Sequence, residues 1–511
     1  MKQFRGFLFK ANQKNINKIM GQGAKILLTN KTPYTWKKTH QDSYQMAEWN
    51  SHFPETVFPG TSVYVYTEFE EGVTITEKDD NGTIEYTFEE TGESFQILAG
   101  YVDEGDIRIF FKNIQTLQNA KGSTITIGSQ RKQYYSQYED LFVNFTIVKT
   151  SVGYITIARD QNNPDWMKYV SEDKNLAQLT IPGTHDSCTY TLKNGILDTM
   201  SSDILADVFA GMVALIPALS VFLPVGAITA EIIKNITICQ TMDISTQLYK
   251  GIRFLDIRLG KKDGDLYAYH GGIYLNLTFK DVLDATYDFL QKYPSETVIM
   301  SINKDGDGDD ISGLVESAIE SNYNMWYGVE KKDNKISWTK FDIPNLKDAR
   351  KKIVLLRRFG DNTTQMGINA STLIWPDNGT NPVPPVVNYN NLDFYIQDNY
   401  QPYYLWNLDS KFDDHAKKLI DASKTDKSNT LYINFMSGTG GVYPQTLANG
   451  YMANFIGTNG KLFENYVPQQ QQSSNVVTEK LGIIPMDFPE TPYNGAVIGQ
   501  LISLNSFTDP S

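Results

Sequence analysis

The chain changes its hydrophobic rhythm once. From residue 24 to about residue 160, apolar and polar positions alternate in short runs at 24–28, 57–69, 82–88, 95–102, 106–111, 123–127, 141–149 and 152–158. The runs are rich in Val, Ile, Thr, Tyr and Phe, which suit a half-buried pleated surface, and polar clusters such as Asp79-Asp80-Asn81-Gly82 separate them. Many short strands at even spacing predict an all-β sandwich over residues 1–160. The polar stretch 160–173, with Asn162-Asn163-Pro164, reads as a linker.

From Leu176 onward strands alternate with helical patterns, which predicts a parallel sheet. The strands fall at 176–182, 252–258, 265–270, 297–302, 352–358, 393–397, 430–435 and 482–486. Eight is the number a closed (β/α)8 barrel needs, so residues 175–511 are expected to form a distorted barrel of that kind. Thr278 and Asp281 make a capping box ahead of a helix whose apolar face is Phe279, Val282, Leu283, Thr286, Phe289, Leu290 and Tyr293. Residues 312–323 and 410–423 read as further outer helices, and the Gln469–Gln472 tract as a solvated low-complexity loop.

Residues 204–233 break the pattern, because no charge occurs between Asp207 and Glu231. A single membrane span there would put the strands before and after it on opposite sides of a bilayer, although they share one sheet. Pro217 and Pro224 divide the run, leaving an apolar flap that dips into a membrane or a hairpin buried against the first domain.

The net charge of −13 argues against nucleic acid, whose binders carry a basic footprint. It also argues against adsorption to anionic lipid by overall charge. Two cysteines, Cys188 and Cys239, allow neither a disulfide framework nor a zinc-type cluster, leaving two free thiols or a single disulfide. The apolar run near the N-terminus is too short for a secretory signal, so a cytoplasmic or peripheral membrane protein is expected, with non-conventional secretion left open.

Chemistry concentrates at predicted strand ends. Leu176–Tyr190 ends a strand in Pro182-Gly183-Thr184-His185-Asp186, and further strands end at Arg258 and His270. Loops at the C-terminal face of such a barrel share one mouth, so His185, Asp186, Arg258, His270, Lys304, Arg358, Asp398, Tyr400 and Asp487 are expected to converge. Two histidines, carboxylate partners and a guanidinium suit cleavage of a phosphodiester with an internal hydroxyl nucleophile. His40, His52 and His415 lack convergent partners, and Cys188 has no separate base. Asp305–Asp310 resembles the start of a calcium loop but has Asp310 where the sharp turn needs Gly.

Taken in order, Thr-Ile-Pro-Gly-Thr-His-Asp-Ser, Phe-Leu-Asp-Ile-Arg, His-Gly-Gly-Ile-Tyr-Leu, Pro-Ser-Glu-Thr-Val-Ile-Met-Ser, Lys-Ile-Val-Leu-Leu-Arg-Arg-Phe, Ile-Gln-Asp-Asn-Tyr and Leu-Tyr-Ile-Asn-Phe resemble the X-domain of phosphatidylinositol-specific phospholipase C, more closely the metal-independent bacterial type than the calcium-dependent animal type. They span roughly residues 175–507. The resemblance implies His185 as the general base for the inositol 2-hydroxyl, oriented by Asp487, and His270 with Asp186 as the general-acid pair. It implies Arg258 as the phosphate-stabilising group in the place where animal enzymes hold calcium, hence no metal and no cofactor. Arg358, Asp398 and Tyr400 match inositol-binding positions; the family lysine falls on Asn303 in strict register, with Lys304 beside it. The implied substrate is a phosphatidylinositol-type lipid met at a membrane surface, giving diacylglycerol and inositol cyclic phosphate.

Two rivals stand beside this reading. One is a glycerophosphodiesterase or sphingomyelinase D type of enzyme, which would need a magnesium carboxylate cluster; no Glu-x-Asp pair of that kind occurs near His185. The other is a lipid-binding or membrane-damaging module with a catalytically weak barrel. It draws on a faint likeness of Leu27–Thr32, the Trp-containing loop after it and Phe53–Ser62 to the sandwich domains of membrane-acting cytolysins.

Overall fold

The structure, a computed structural model, describes residues 23–49, 52–69, 80–100, 106–128, 141–158, 163–195, 210, 230–305, 310–361 and, with interruptions, 363–507. Most of the apolar stretch expected at 204–233 lies outside the described residues. Among those described, no helix is long and apolar enough to cross a membrane.

The first 158 residues supply all but one strand of two six-stranded sheets. One runs in the order Gly153–Ala158, Leu141–Thr150, Gly23–Lys31, Thr61–Phe69 and Ser474–Asn475, with Met46–Glu48 also on Thr61–Phe69. The other runs Thr56–Val57, Trp36–Tyr44, Asn81–Phe88, Ser94–Gly100, Asp106–Phe110 and Thr124–Gly128. Ile26, Val63 and Val65 from the first sheet share one buried cluster with Ile84, Tyr86 and Ile97 from the second. The Trp-containing segment, expected as a loop, is the strand Trp36–Tyr44. Its run Lys37-Lys38-Thr39-His40-Gln41 has no apolar period, and only its ladder to Asn81–Phe88 identifies it.

A second sheet system begins at Thr180. Eight parallel strands, β1 (Thr180–Thr184), β2 (Phe254–Lys262), β3 (Thr297–Lys304), β4 (Lys352–Arg358), β5 (Ile368–Asn369), β6 (Asp393–Gln397), β7 (Leu431–Asn434) and β8 (Gly482–Met486), lie in the order 5-4-3-2-1-8-7-6. Among the described residues the sheet curls but stays open between β5 and the short strand Val386–Val387, which pairs antiparallel on the outer side of β6. β1 is buried throughout, as a strand covered on both faces must be.

Seven of the eight expected strands are parallel members; the run at 265–270 is not. Asp265–His270 folds back antiparallel on the end of β2 and continues into Ile273–Thr278. Asp263 and Gly264, at φ +52° and +92°, make the two-residue Asp-Gly turn that forces this hairpin. The eighth parallel strand is instead β5, whose two residues are too few to show a period.

Six helices matter to the site and its support: α1 (Ala230–Thr237), α2 (Ile244–Lys250), α3 (Phe279–Lys292), α4 (Ser312–Glu320), α5 (Lys417–Thr425) and α6 (Ala496–Ser503). α3 starts on the Thr278–Asp281 capping box and buries the face expected of it. The helix expected at 410–423 is split, with a π-helical turn at Lys411–Ala416 before α5.

The stretch read as a linker is packed in its described part. Trp166, Met167 and Tyr169 are buried, and Trp166 Nε1 donates to the Gly251 carbonyl at 3.1 Å. Every residue of α6 is buried, as an apolar helix requires when covered on all sides. Ile498 of α6 shares its cluster with Val148, Ile155 and Ile157 of the first region. Lys31 reaches across to the carbonyls of Ser503 and Asn505 and lies over the Phe507 ring. The β-rich region and the curled sheet therefore share apolar and polar contacts.

Candidate active site

The loop after β1 carries His185 and Asp186, and its shape is heavily constrained. The His185 N–H donates to the Met486 carbonyl and the Ser187 N–H to the Asp256 carbonyl. Gln240 Nε2 donates to the carbonyls of His185 and Met486, and Thr184 donates to Gln247. Asp186 sits in the left-handed region at φ +43°, a strained setting for a non-glycine residue that the surrounding bonds over-determine.

Register then brings distant residues to this loop. β1 pairs with β8 so that Thr184 lies opposite Met486, which sets Asp487 beside His185. His185 Nδ1 lies 2.8 Å from Asp487 Oδ1. β2 lies on the other side, and Arg258 Nη2 is 2.9 Å from His185 Nε2. Guanidinium can only donate, so Nε2 holds the lone pair and Nδ1 carries the proton that Asp487 accepts. His185 is thus held in one tautomer.

Arg258 is set between carboxylates. Its Nε lies 2.7 Å from Asp186 Oδ1 and its Nη2 lies 3.4 Å from Asp256 Oδ2. His270 enters from the hairpin, with Nδ1 2.8 Å from the Thr237 carbonyl at the end of α1 and Nε2 3.0 Å from Asp186 Oδ2. Asp186 and Asp256 are almost wholly buried.

Burial and charge move the titrations of these groups. For His185, burial alone would lower its pKa, but Asp487 and Asp186 outweigh that and lift it above the ordinary histidine value. For His270, burial lowers the pKa, Asp186 opposes, and Arg258 and His185 add to the lowering. Burial raises the Asp186 carboxyl against the pull of Arg258 and the histidines. Asp256 moves the other way, because Arg258 and Arg358 overcome its burial.

A second layer lies at the ends of β4 and β6. Arg358 Nη1 is 3.4 Å from Asp256 Oδ1, and its Nη2 is 4.0 Å from Asp398 Oδ2. Its guanidinium lies 3.5 Å from the centre of the Trp375 ring, and Trp375 Nε1 donates to Asp398 at 2.6 Å. Tyr400 follows on the same loop, with its N–H donating to Asn378 Oδ1 at 3.1 Å. Lys304 ends β3, and among the described residues its side chain makes no ion pair with this cluster.

His185, Asp186, Arg258, His270 and Asp487 thus converge, with Arg358 and Asp398 joined to them through Asp256. His52 is paired with Glu48 in the β-rich region, and Cys188 is buried behind the loop with its thiol pushed up by burial. Four participants escaped sequence reasoning: Cys239, Asp256, Trp375 and the Thr237 carbonyl. Asp256 stands inside the Phe-Leu-Asp-Ile-Arg motif two residues before Arg258, a spacing that puts both on one face of a strand. A backbone acceptor leaves no sequence signal.

Residues 233–359 match the family described as phosphatidylinositol-specific phospholipase C, X domain. A 1-phosphatidylinositol phosphodiesterase of Staphylococcus aureus is 30% identical over 283 residues, covering 54% of this chain and 76% of that protein. One from Listeria monocytogenes is 30% identical over 332 residues, covering 64% of this chain and 81% of its own length. The solved phosphatidylinositol-specific phospholipase C of Listeria monocytogenes aligns with 68% of this chain and 100% of its own, at 26% identity and a TM-score of 0.45. With most of two such relatives covered at this identity, the chain belongs to the phosphatidylinositol-specific phospholipase C X-domain family.

Proposed function

We propose that this protein cleaves phosphatidylinositol-type lipids at a membrane surface by internal attack, releasing diacylglycerol and an inositol 1,2-cyclic phosphate. The observation that carries this is the relay Asp487–His185–Arg258–Asp186–His270, in which one imidazole presents a lone pair and the other faces a carboxylate, with a guanidinium between them. His185 Nε2 takes the proton of the inositol 2-hydroxyl while that oxygen bonds to phosphorus. The bond from phosphorus to the glycerol oxygen breaks, and His270 Nε2 delivers a proton to that oxygen. Arg258 balances the charge that grows on the phosphoryl oxygens.

His185 is raised and His270 lowered in the free site, so burial and the neighbouring charges bias both imidazoles away from the neutral base and protonated acid that the reaction uses. A phosphodiester monoanion beside His270 favours its protonated form and brings the pair into working order. Arg358 and Asp398 face the same mouth and suit hydrogen bonding to inositol hydroxyls, with Tyr400 as a stacking surface. Lys304 is held as a headgroup contact. Arg258, placed between Asp186 and Asp256, supplies the positive charge that a metal would bring, so catalysis runs without one. The architecture that serves this chemistry is an open (β/α)8 barrel over residues 175–511, preceded by a β-sandwich over residues 1–160 that docks through α6.

Phosphorus NMR of the soluble products released from mixed lipid vesicles reads headgroup and cyclic phosphate together. A cyclic inositol phosphate signal that vanishes in His185→Ala is expected. An acyclic phosphate as the first product, or undiminished release by His185→Ala, would sink the proposal.

A further inference from the structure

Cys239 lies in the middle of the relay although no step of the reaction uses it. It follows α1 by two residues and is buried, with its Sγ 3.4 Å from the Thr237 carbonyl. Its Sγ, a nitrogen of His270 and a carboxylate oxygen of Asp186 all lie within 4.8 Å of one another.

Three features of this triangle point to a cation rather than to ordinary packing. First, His270 Nδ1 faces the Thr237 carbonyl at 2.8 Å, which fixes the proton there and leaves the lone pair of the neutral ring on Nε2. Metal-binding histidines are usually oriented in this way, by a carbonyl or carboxylate behind the ring. Second, Asp186 Oδ2 is buried and has no aligned hydrogen bond, although His270 Nε2 lies 3.0 Å and His185 Nε2 3.3 Å away. A cation bound by both Oδ2 and His270 Nε2 would take the place of the missing proton. Third, Arg258 Nε lies 2.7 Å from Asp186 Oδ1, so the guanidinium holds one oxygen from behind and leaves Oδ2 on the side of the two histidines.

We propose that Cys239 Sγ, His270 Nε2 and Asp186 Oδ2 form a three-ligand site for a thiophilic divalent cation of the zinc class, and that its occupation shuts the enzyme off. Sulfur, imidazole and carboxylate in one set suit a tetrahedral borderline-soft ion rather than calcium or magnesium, which take oxygen ligands. A tetrahedral ion held by these three ligands would take a water in its fourth position. Binding displaces the thiol proton to solvent, so one proton leaves for each ion bound, and affinity rises about tenfold per pH unit while the thiol remains protonated in the free protein. Arg258 beside Asp186 weakens the site, which makes it a reversible regulatory device rather than a permanent structural one. The inhibition half of this inference rests on the function proposed above, because the ion takes His270 and Asp186 away from proton transfer; the binding half does not.

The test uses cobalt(II) as a spectroscopic stand-in, titrated into the purified full-length protein. A thiolate-to-cobalt charge-transfer band in the near ultraviolet is expected, together with intense visible bands of a tetrahedral ion, and zinc should displace both. Cys239→Ser and His270→Gln should each abolish the ultraviolet band or weaken cobalt binding at least about tenfold, whereas Cys188→Ser should retain it. Zinc should inhibit phosphatidylinositol cleavage by the unmodified protein, and Cys239→Ser should need at least about tenfold more zinc for the same fractional inhibition. Absence of a sulfur band, or a band that survives in Cys239→Ser, overturns the site. A band without inhibition overturns the regulatory role. If the protein proves inactive on these lipids, the cobalt band still decides the site on its own.

Discussion

Replacing Asp487 by Asn isolates what the carboxylate does for the base. The His185–Asp487 contact is 2.8 Å long, between side chains only 14% and 2% exposed. A hydrogen bond to a charged group contributes about 1.5–3 kcal/mol, and one pKa unit corresponds to about 1.4 kcal/mol. Loss of the carboxylate charge therefore lowers the pKa of His185 by about 1–2 units. The sign follows from the causes of its present value: burial already pushes the imidazole down, and Asp487 is the largest force holding it up. As the base must be neutral, the rising acid limb of the kcat/KM profile moves to lower pH by the same amount. The plateau falls about 10- to 100-fold, because the imidazolium forming in the transition state loses the same stabilisation. Cyclic phosphate release measured from pH 4 to 9, with the His185 imidazole followed by NMR in parallel, checks both effects. A limb that stays in place or moves to higher pH, or a plateau changed less than about twofold, would refute the reasoning.

His270→Ala should lose about 10²- to 10⁴-fold on lipid, yet recover most of its rate on an inositol phosphodiester with a nitrophenol leaving group, which departs without a proton; equal losses on both substrates would remove His270 from the acid role. Activity should survive dialysis against a strong chelator, with Arg258 as the reason, and loss on chelation would overturn the metal-free assignment. Arg253→Ala should cost about 3–5 kcal/mol in urea unfolding. It strands Glu296, whose side chain is fully buried 2.7 Å from Arg253 Nη2, and a loss under about 1 kcal/mol would show the pair to be dispensable.

What the chain declares by itself is local. Period-two runs announce most strands of the β-rich region, the capping box announces α3, and the short motifs ending in His185, Arg258 and His270 identify the strand ends that carry chemistry. These signals survive because they depend on neighbours two to four residues apart. Where the local pattern was silent or ambiguous, the sequence misled: Trp36–Tyr44 hides behind polar residues, and the run at 265–270 looks like a barrel strand until the Asp263-Gly264 turn is weighed.

Partnership was decided by tertiary structure. Asp186 is adjacent to His185 in sequence, and the shared motif links it to His270; only the geometry shows one of its oxygens set against Arg258 and the other between the two histidines, nearer to His270. Asp487, 302 residues from His185, becomes its partner because β1 and β8 are parallel neighbours with Thr184 opposite Met486. Cys239 carries no motif and belongs to the site only because α1 ends against the hairpin that bears His270. A side chain's type is written in the chain, but the charges it meets depend on strand order and register, which bring distant segments within about 3 Å, where a single carboxylate decides whether an imidazole gives or takes a proton.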